Sequence, residues 1–447
     1  MNESSKDNAI PTKIDLLIHP RWVVPIEPRG IVLEDHAIAV HGGRIVGLLP
    51  ANEARNRFEA TDTVHLGEHV LLPGLVNLHT HAAMSLLRGY ADDLPLMRWL
   101  EDKIWPTEGR WVSPDFVHTG TRLAAAEMLR GGVTCCQDMY FFPETAAEAF
   151  VESGIRAVIG IAVIEFPTQY AADASDCLAK GLAARDRFRD TEQLSFTLAP
   201  HAPYTVSDAS FERIATLAAQ LGLAVQIHLH ETRQEVEDSL KQYGMRPLQR
   251  LQRLGLLGPD LIAVHGVNFN DNDLELLAQH GSSIAHCPSS NMKLASGAAP
   301  IATALACGIR VGLGTDSAAS NNRLDLFQEM RHAALLGKLV ACDAAALDAH
   351  TVLRMATLDG AAALGLDRSI GSIETGKLAD LCAVRLDDWM IQPCFDPASH
   401  LVYAAGREHV SHVWVEGRSV VSNSHFDDID VSKLLAAVRL WQNRLCR

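Results

Sequence analysis

The 447-residue sequence lacks several features that mark particular classes of protein. It has no cluster of Lys and Arg, and its formal net charge is −15 at pH 7. Because phosphate-rich partners require concentrated positive charge, nucleic acid and anionic membrane surfaces are not expected partners. No stretch approaches the roughly 20 apolar residues of a membrane span. These absences favour a small, nearly neutral substrate.

The cysteine pattern contains no Cys-x-x-Cys pair, and the total of nine is odd. Most cysteines stand in apolar runs, as Cys135 and Cys136 do, which is typical of reduced core thiols rather than a disulfide framework. The N-terminal sequence MNESSKDNAIPTKID has no apolar stretch and does not resemble a signal peptide. We therefore expect a cytoplasmic protein without a thiolate zinc cluster.

From residue 71 onward, short apolar runs alternate with long amphipathic stretches. The runs predict eight strands, at 75–78, 133–137, 157–164, 194–199, 223–227, 261–264, 283–285 and 310–313. Helices are predicted between them, for example at 114–130 and 207–221, because each stretch starts near Ser and stops before Gly. Eight alternations of buried strand and helix predict an α/β fold, a (β/α)8 TIM barrel over residues 71–376.

Short β-like segments flank this region on both sides. They lie at 14–18, 37–40, 44–48, 381–385, 413–415 and 419–421. Gly42-Gly43 between two of them indicates a two-residue hairpin turn. We predict a small β-sandwich domain formed by both chain ends, residues 1–70 and 377–447, with a C-terminal helix at 430–445.

Polar residues at the C-terminal ends of barrel strands are candidates for catalysis. His79 and His81 end the first strand, and side chains two apart on an extended chain point the same way, so both can meet one ion. Further polar residues end strands five to eight, namely His228 with Glu231, then His265, His286 and Asp316. Since buried charge is costly unless it is paired or bound to metal, the set predicts a metal centre.

The third imidazole ligand is either His228 or His230, because an extended chain can present both. We favour His228, since His230 lies beyond the expected strand end and then supports the ligands or lines the pocket. The predicted ligands of one divalent ion per chain are His79, His81, His228 and Asp316. Zn²⁺ is the expected ion, although imidazole and carboxylate donors also suit Fe and Mn.

These residues stand in motifs that resemble the amidohydrolase superfamily over nearly the whole chain. The motifs are Pro73-Gly74-Leu75-Val76-Asn77-Leu78-His79-Thr80-His81, His228-Leu229-His230-Glu231-Thr232, His265-Gly266, His286-Cys287-Pro288-Ser289-Ser290-Asn291 and Gly314-Thr315-Asp316-Ser317. Binuclear members usually carry a carboxylated lysine at the end of strand four. No lysine lies between Lys180 and Lys241, and His201 stands at that strand end. The resemblance is therefore to the mononuclear branch, which contains aminohydrolases of purines and pyrimidines.

Within that branch the chain is most similar to the 5-methylthioadenosine/S-adenosylhomocysteine deaminase group, through residues 84–96, 105–108 and 199–204. This resemblance implies hydrolytic deamination of the adenine ring of methylthioadenosine, S-adenosylhomocysteine or adenosine. It also implies that Glu108 binds the ribose hydroxyls and that His201 contacts the nucleoside. A carboxylate suits the first role because it can accept both vicinal hydroxyl protons.

The chemistry expected of such a site assigns a role to each polar group. A bound divalent ion lowers the pKa of a water molecule toward ~7. Asp316 has a second oxygen free to take the water's proton and later pass it to the leaving amine, while His265 orients the water. Glu231 protonates N1 of the ring as general acid. Glu231, His265 and Asp316 are thus the predicted catalytic residues, and Glu231 and Asp316 also contact the substrate.

The loop after strand three favours methylthioadenosine over S-adenosylhomocysteine. Carboxylate recognition favours Arg, and relatives that bind homocysteine well carry arginines in this region. Residues 165–170 contain none, and the next is Arg185. Met84, Leu94 and Phe142 are then candidates for an apolar lining.

The sequence also allows other functions. Within the same branch they are a guanine or cytosine deaminase and a triazine hydrolase. A non-catalytic scaffold is the alternative hypothesis outside the enzymes, and the intact set of predicted metal ligands argues against it. The sequence also leaves the formation of homo-oligomers open.

Overall fold

The computed structural model describes residues 11–446. Residues 1–10, on which the signal-peptide prediction and the start of the predicted β-domain fall, lie outside the described residues. Within the described range, no helix is both long enough and apolar enough to cross a membrane.

The described residues form 17 strands and 18 α-helices. The strands are β1 (Thr12–Val23), β2 (Leu33–Glu34), β3 (His36–His41), β4 (Arg44–Pro50), β5 (Phe58–Pro73), β6 (Leu75–Thr80), β7 (Val133–Tyr140), β8 (Arg156–Val163), β9 (Leu194–Pro200), β10 (Val225–Leu229), β11 (Leu261–His265), β12 (Ser283–His286), β13 (Arg310–Leu313), β14 (Leu381–Arg385), β15 (Val410–Val415), β16 (Arg418–Ser422) and β17 (His425–Phe426).

The helices lie between and after these strands along the chain. They are α1 (Ala51–Arg57), α2 (Leu96–Trp99), α3 (Trp105–Trp111), α4 (Pro114–Arg130), α5 (Pro143–Ser153), α6 (Ala174–Phe188), α7 (Asp208–Leu221), α8 (Arg233–Tyr243), α9 (Pro247–Arg253), α10 (Asp271–His280), α11 (Pro288–Lys293), α12 (Ile301–Ala306), α13 (Ala318–Asn321), α14 (Leu326–Ala341), α15 (Ala349–Met355), α16 (Leu358–Ala363), α17 (Pro397–Tyr403) and α18 (Val431–Leu445). A π-helical turn, Leu100–Ile104, joins α2 to α3.

The predicted barrel is confirmed. Strands β6 to β13 form one eight-stranded parallel sheet in sequential order, and each predicted run overlaps one of them. The first and last strands meet through Asn77, whose side chain donates to Thr315 Oγ1 at 2.8 Å and accepts the Thr315 N–H at 3.0 Å. The N–H of Asp316 donates to the carbonyl of His79 at 3.0 Å. These bonds bring the two chain segments that carry predicted metal ligands side by side.

Both chain ends build a second, nine-stranded sheet, as expected for the β-sandwich. Its order is β17-β16-β15-β14-β5-β1-β3-β4, with β2 beside β1. Strand β5 joins the two halves, because it pairs in parallel with β1 and antiparallel with β14. One apolar cluster draws on strands of both halves, including Ile18, Ile38, Leu71, Leu381 and Trp414.

The junction with the barrel differs in detail from the expectation. The predicted boundary between residues 70 and 71 falls inside β5, which runs to Pro73 before β6 begins at Leu75. The helix α1 and the first half of β5 were not predicted. The division of the chain into two domains stays a prediction.

Helix ends follow the local signals in the sequence. Ser113 Oγ accepts the N–H of Phe116 at the start of α4, and Ser207 Oγ accepts the N–H of Ser210 at the start of α7. Helix α7 stops at Gly222, whose φ of 62° is the left-handed conformation that glycine adopts without strain. The closing helix α18 packs against α4 through an edge-on contact of Trp441 with the Phe116 ring.

Candidate metal centre and active-site cavity

The four predicted metal ligands lie together at the C-terminal end of the barrel. His79 belongs to β6, His81 follows it directly, His228 lies in β10 and Asp316 follows β13. The Nε2 atom of His228 is 3.2 Å from that of His79 and 3.3 Å from that of His81. Asp316 Oδ1 is 3.7 Å from Nε2 of His79 and 3.3 Å from Nε2 of His81. Each side chain therefore directs one atom toward a common point.

Each imidazole is oriented by an acceptor at its other nitrogen. His79 Nδ1 lies 2.9 Å from Gln226 Oε1, and the Nε2 of the same amide donates to the carbonyl of Leu78, so Oε1 must be the acceptor. The other two rings donate from Nδ1 to backbone carbonyls, His81 to Met139 at 2.5 Å and His228 to His201 at 2.7 Å. All three Nε2 atoms therefore present lone pairs, as metal-binding imidazoles do.

This donor set fits a divalent cation. With the protons at Nδ1, the Nε2 lone pairs face one another without a proton between them, and a cation removes that repulsion. Burial lowers the pKa of His79 to about 3 and also lowers the pKa of His228, so both rings are neutral. Tetrahedral ligands at about 2.0–2.1 Å from an ion lie roughly 3.3–3.4 Å apart, close to the nitrogen separations found here. The chemistry and spacing of these donors therefore fit a divalent metal ion.

The carboxylate of Asp316 is more constrained than the sequence suggested. Its Oδ1 accepts the N–H of Ser317 at 2.7 Å, and its Oδ2 accepts the hydroxyl of Ser290 at 2.6 Å. The second oxygen, expected to be free to accept the water's proton, already accepts one hydrogen bond, because helix α11, directly after β12, places Ser290 beside it. Each carboxylate oxygen has two lone pairs, so acceptor capacity remains.

His265 and Glu231 lie next to this cluster. His265 is the last residue of β11, its Nδ1 is 2.9 Å from Asn291 Oδ1, and its ring stacks on that of His228 with centroids 5.5 Å apart. Glu231 Oε2 lies 3.7 Å from His265 Nε2. Burial raises the pKa of Glu231, which favours a carboxyl group that holds its proton.

Glu108 and Tyr140 form a hydrogen-bonded pair across the cavity. Glu108 lies in α3, Tyr140 ends β7, and the tyrosine hydroxyl donates to Glu108 Oε1 at 2.6 Å. Burial raises the pKa of Glu108 to about 7, and the bond from Tyr140 acts in the opposite direction. Tyr140 had no predicted role, although its position at the end of the second barrel strand is a signal of the kind used for the other strands.

Two further candidate histidines, His201 and His230, occupy different surroundings. His201 follows β9, lines the cavity, and has its Nδ1 3.0 Å from Thr205 Oγ1. His230 is turned away from the ligand cluster, because its Nε2 accepts the backbone N–H of Leu248 at 3.1 Å. The geometry therefore brings His228, and not His230, to the other ligands.

A cavity opens above the donors. It contains all the predicted catalytic and substrate-binding residues, and the rest of its wall is largely apolar; this wall includes Met84, Leu96, Trp99, Leu100, Ile104, Trp105, Val112, Phe141 and Phe166. Leu94 and Phe142, which were expected to line it, do not; Phe142 packs against Tyr170 instead, with ring centroids 5.1 Å apart. Within residues 11–446, no Lys or Arg lines this cavity.

Comparison with known proteins agrees with this architecture. Residues 70–420 match the amidohydrolase family. A 5-methylthioadenosine/S-adenosylhomocysteine deaminase from Saccharophagus degradans is 45% identical over 97% of this chain and 97% of its own length. An adenosine deaminase from Xanthomonas campestris, whose crystal structure has bound Zn, is 50% identical over 98% of this chain and 99% of its own, with a TM-score of 0.96.

A more distant relative is named for a different activity. The crystal structure of an atrazine chlorohydrolase from Arthrobacter aurescens, complexed with zinc, is 25% identical over 95% of this chain and 99% of its own, with a TM-score of 0.88. The chain belongs to the amidohydrolase family. The fold and the donor set together define it as a metal-dependent member.

Proposed function

We propose that this protein hydrolytically deaminates the adenine ring of 5′-methylthioadenosine, and of related adenosine-type nucleosides, to the inosine-type product and ammonia. The observation that carries the proposal is the juxtaposition, in one cavity, of the metal donors, the Glu231 carboxyl group and the Glu108–Tyr140 pair. The similarity to deaminases of this substrate class supports it.

The metal is proposed to be one Zn²⁺ per chain, held by His79, His81, His228 and Asp316. Three imidazoles and one carboxylate match the preference of zinc, and the relatives with bound zinc support the choice. When bound, the ion lowers the pKa of a water molecule so that it can act as a nucleophile near neutral pH.

The protein side chains then accept and donate the protons of the reaction. Asp316 accepts the water's proton on a lone pair that Ser290 and Ser317 leave open, and the Nε2 of His265 orients the water. Glu231 donates its proton to N1 of the ring as the oxygen–C6 bond forms. Asp316 passes its proton to the amine, the C6–N bond breaks, and ammonia leaves. The remaining hydroxyl proton returns to Glu231 as the C6 carbonyl forms.

The nucleoside is proposed to be oriented by Glu108 and His201. Glu108 accepts from the two ribose hydroxyls, and the bond from Tyr140 helps to keep it ionised despite burial. His201 faces the same cavity from β9 and contacts the nucleoside. A triazine or a free base offers no vicinal hydroxyls, so this pair favours a nucleoside.

The first prediction concerns the substituent at the 5′ position. Since no Lys or Arg lines the cavity within the described residues, the homocysteine carboxylate finds no cationic partner there, while an apolar thioether fits the wall. We expect kcat/KM for methylthioadenosine to exceed that for S-adenosylhomocysteine by at least about tenfold. Ammonia release from both nucleosides, adenosine, guanine and cytosine measures this, and chloride release measures turnover of a chlorotriazine.

A matched variant sharpens the comparison. Gln169→Arg places a guanidinium in the wall at an exposed position, and we expect it to raise kcat/KM for S-adenosylhomocysteine selectively. If the unaltered protein has an equal or higher kcat/KM for S-adenosylhomocysteine than for methylthioadenosine, the predicted preference for methylthioadenosine is wrong. Turnover of free bases or triazine without nucleosides contradicts the proposed function itself.

The second prediction concerns Tyr140→Phe. Removing the hydroxyl takes away the bond that lowers the pKa of Glu108, so this pKa rises above its present value of about 7. Less of the carboxylate is then ionised at pH 7. We expect KM for the nucleoside to rise by roughly 3- to 30-fold at pH 7, with the deficit shrinking as the pH is raised.

Tyr403→Phe is the control, because Tyr403 lies in α17 outside the cavity and the change removes the same atom. A Tyr140→Phe protein whose KM deficit does not depend on pH between 6 and 9 speaks against the ionisation argument. Steady-state kinetics over this range decides.

We further propose a reducing, cytoplasmic location. All nine cysteines lie within the described residues, and none is paired in a disulfide. Six are buried or half-buried, as expected of core thiols.

A further inference from the structure

A sharp turn after β10 carries Glu231 into the cavity. The strand ends at Leu229, and His230 adopts φ 54°, a left-handed conformation that is uncommon for a residue with a side chain. Such a conformation is unfavourable and persists only where surrounding contacts hold it. The contacts that hold this turn therefore also set the position of Glu231.

One carboxylate binds both amides of the turn. Glu235 Oε1 accepts the N–H of His230 at 2.9 Å, and Glu235 Oε2 accepts the N–H of Glu231 at 2.9 Å. On the opposite side, the Asn268 N–H donates to the His230 carbonyl at 2.9 Å, and its side-chain amide donates to the Glu231 carbonyl at 3.1 Å. The peptide groups around Glu231 are thus held through both their donors and their acceptors.

This arrangement differs from an ordinary helix cap. Glu235 is the third residue of α8, and in a capping box such a residue bonds the N–H of the cap residue, here Thr232. Glu235 also binds the N–H groups of the two residues before Thr232, which a capping box does not include. It does so although it is only 8% exposed and burial raises its pKa to about 8. A second buried carboxylate beside Glu231 is an unfavourable choice for helix capping alone.

We propose that Glu235 is a positioning residue for Glu231: it fixes the turn so that the Glu231 carboxyl group points at the ring nitrogen of the substrate. This inference rests on the proposed function, because it takes Glu231 as the proton donor. Glu235 does not line the cavity, so it acts through Glu231 alone. A displacement of a catalytic group by about 1 Å can lower turnover ~100-fold.

The test compares Glu235→Gln and Glu235→Ala in the zinc-loaded protein. The carboxamide keeps one acceptor for one amide, while alanine keeps neither. We expect kcat for methylthioadenosine to fall ~10-fold in the first and ~100-fold in the second, with KM changed less than about threefold. If the alanine variant does not fold, the glutamine variant carries the test.

A double-mutant cycle separates positioning from a general structural role. In a Glu231→Gln background there is no proton donor to position, so Glu235→Gln is expected to lower kcat by less than about twofold further. An equal further loss in both backgrounds overturns the proposal, and so does a kcat within twofold of the unaltered protein for the single variants.

Asp176→Asn is the matched control. Asp176 also lies in the first turn of its helix and accepts a backbone N–H, that of Ala172 at 3.0 Å, but it does so on α6, outside the cavity. We expect this variant to keep full activity.

Hydrogen exchange of the peptide spanning residues 228–233 gives a readout that does not need activity. Faster exchange in Glu235→Gln than in Asp176→Asn supports the proposed positioning role of Glu235, and unchanged exchange overturns it. If the unaltered protein deaminates no nucleoside, the proposed function fails while this measurement still decides whether Glu235 holds the turn.

Discussion

Replacing His228 with alanine is expected to abolish stable metal binding and to lower kcat by ~10³ or more. His228 supplies one of three oriented imidazole nitrogens. Loss of a group that merely orients a ligand lowers metal affinity 10- to 100-fold in typical sites, so loss of the ligand itself should cost more than about 100-fold. A metal ion contributes several kcal/mol to the transition state, and each ~1.4 kcal/mol is a factor of ten in rate.

The neighbouring histidine supplies a control of the same residue type. His230→Asn retains a residue that tolerates the left-handed conformation, and His230 does not face the ligand cluster. We expect this variant to keep close to one metal ion per chain. If His228→Ala retained the metal and His230→Asn lost it, His230 rather than His228 would be the third imidazole ligand.

Metal removal also has an expected effect on stability. An ion that binds only the folded chain raises its stability in proportion to the logarithm of its concentration over Kd. Chelation should therefore lower the Tm of the unaltered protein and leave that of His228→Ala unchanged. A Tm that does not respond to chelator in either protein contradicts a metal held by these donors.

The barrel was predictable because its signals are local and repeated. Each strand from β6 to β13 is a short apolar run, and helices such as α4 are bounded by a capping Ser and a closing Gly. The first half of β5 has no such signal. Its residues 59–65 are mostly polar and exposed, and its pairing with β1 depends on residues about 46 positions earlier in the chain. A strand that forms through pairing with a distant segment need not have a recognisable strand pattern in its own residues.

The site was predictable to the extent that its side chains end barrel strands. Two of the groups that orient the imidazoles are the backbone carbonyls of Met139 and His201, and any residue can supply a carbonyl. The hydroxyl of Ser290 reaches Asp316 only because the fold places helix α11, which contains Ser290, beside Asp316. The role of Glu235 depends on the backbone conformation of His230, which the residue type does not reveal. The Thr232-x-x-Glu235 spacing was the one available signal, and it predicts only a helix cap.

Replacing Glu231 with glutamine is expected to lower kcat by ~10²–10⁴ while the metal content stays close to one ion per chain. Proton transfer by a positioned acid contributes a factor of this size. Glutamine has the same shape and still offers an N–H to the ring nitrogen, but it cannot release a proton. Glu231 is not one of the converging donors, so metal binding should be unaffected. Steady-state kinetics and metal analysis of the same preparation test both parts.

Glu237→Gln is the control for this change, because Glu237 lies in α8 with its carboxylate turned to Arg233 at 2.7 Å, outside the cavity. If hydrogen bonding to the ring were enough, Glu231→Gln would retain most of its activity, since the amide preserves that bond. A kcat within threefold of the unaltered protein therefore rules out proton donation by Glu231. Loss of metal from Glu231→Gln would instead make Glu231 part of the metal site. Only a large fall in kcat with the metal retained shows that Glu231 acts as a proton donor, rather than as a hydrogen-bonding group or a metal ligand.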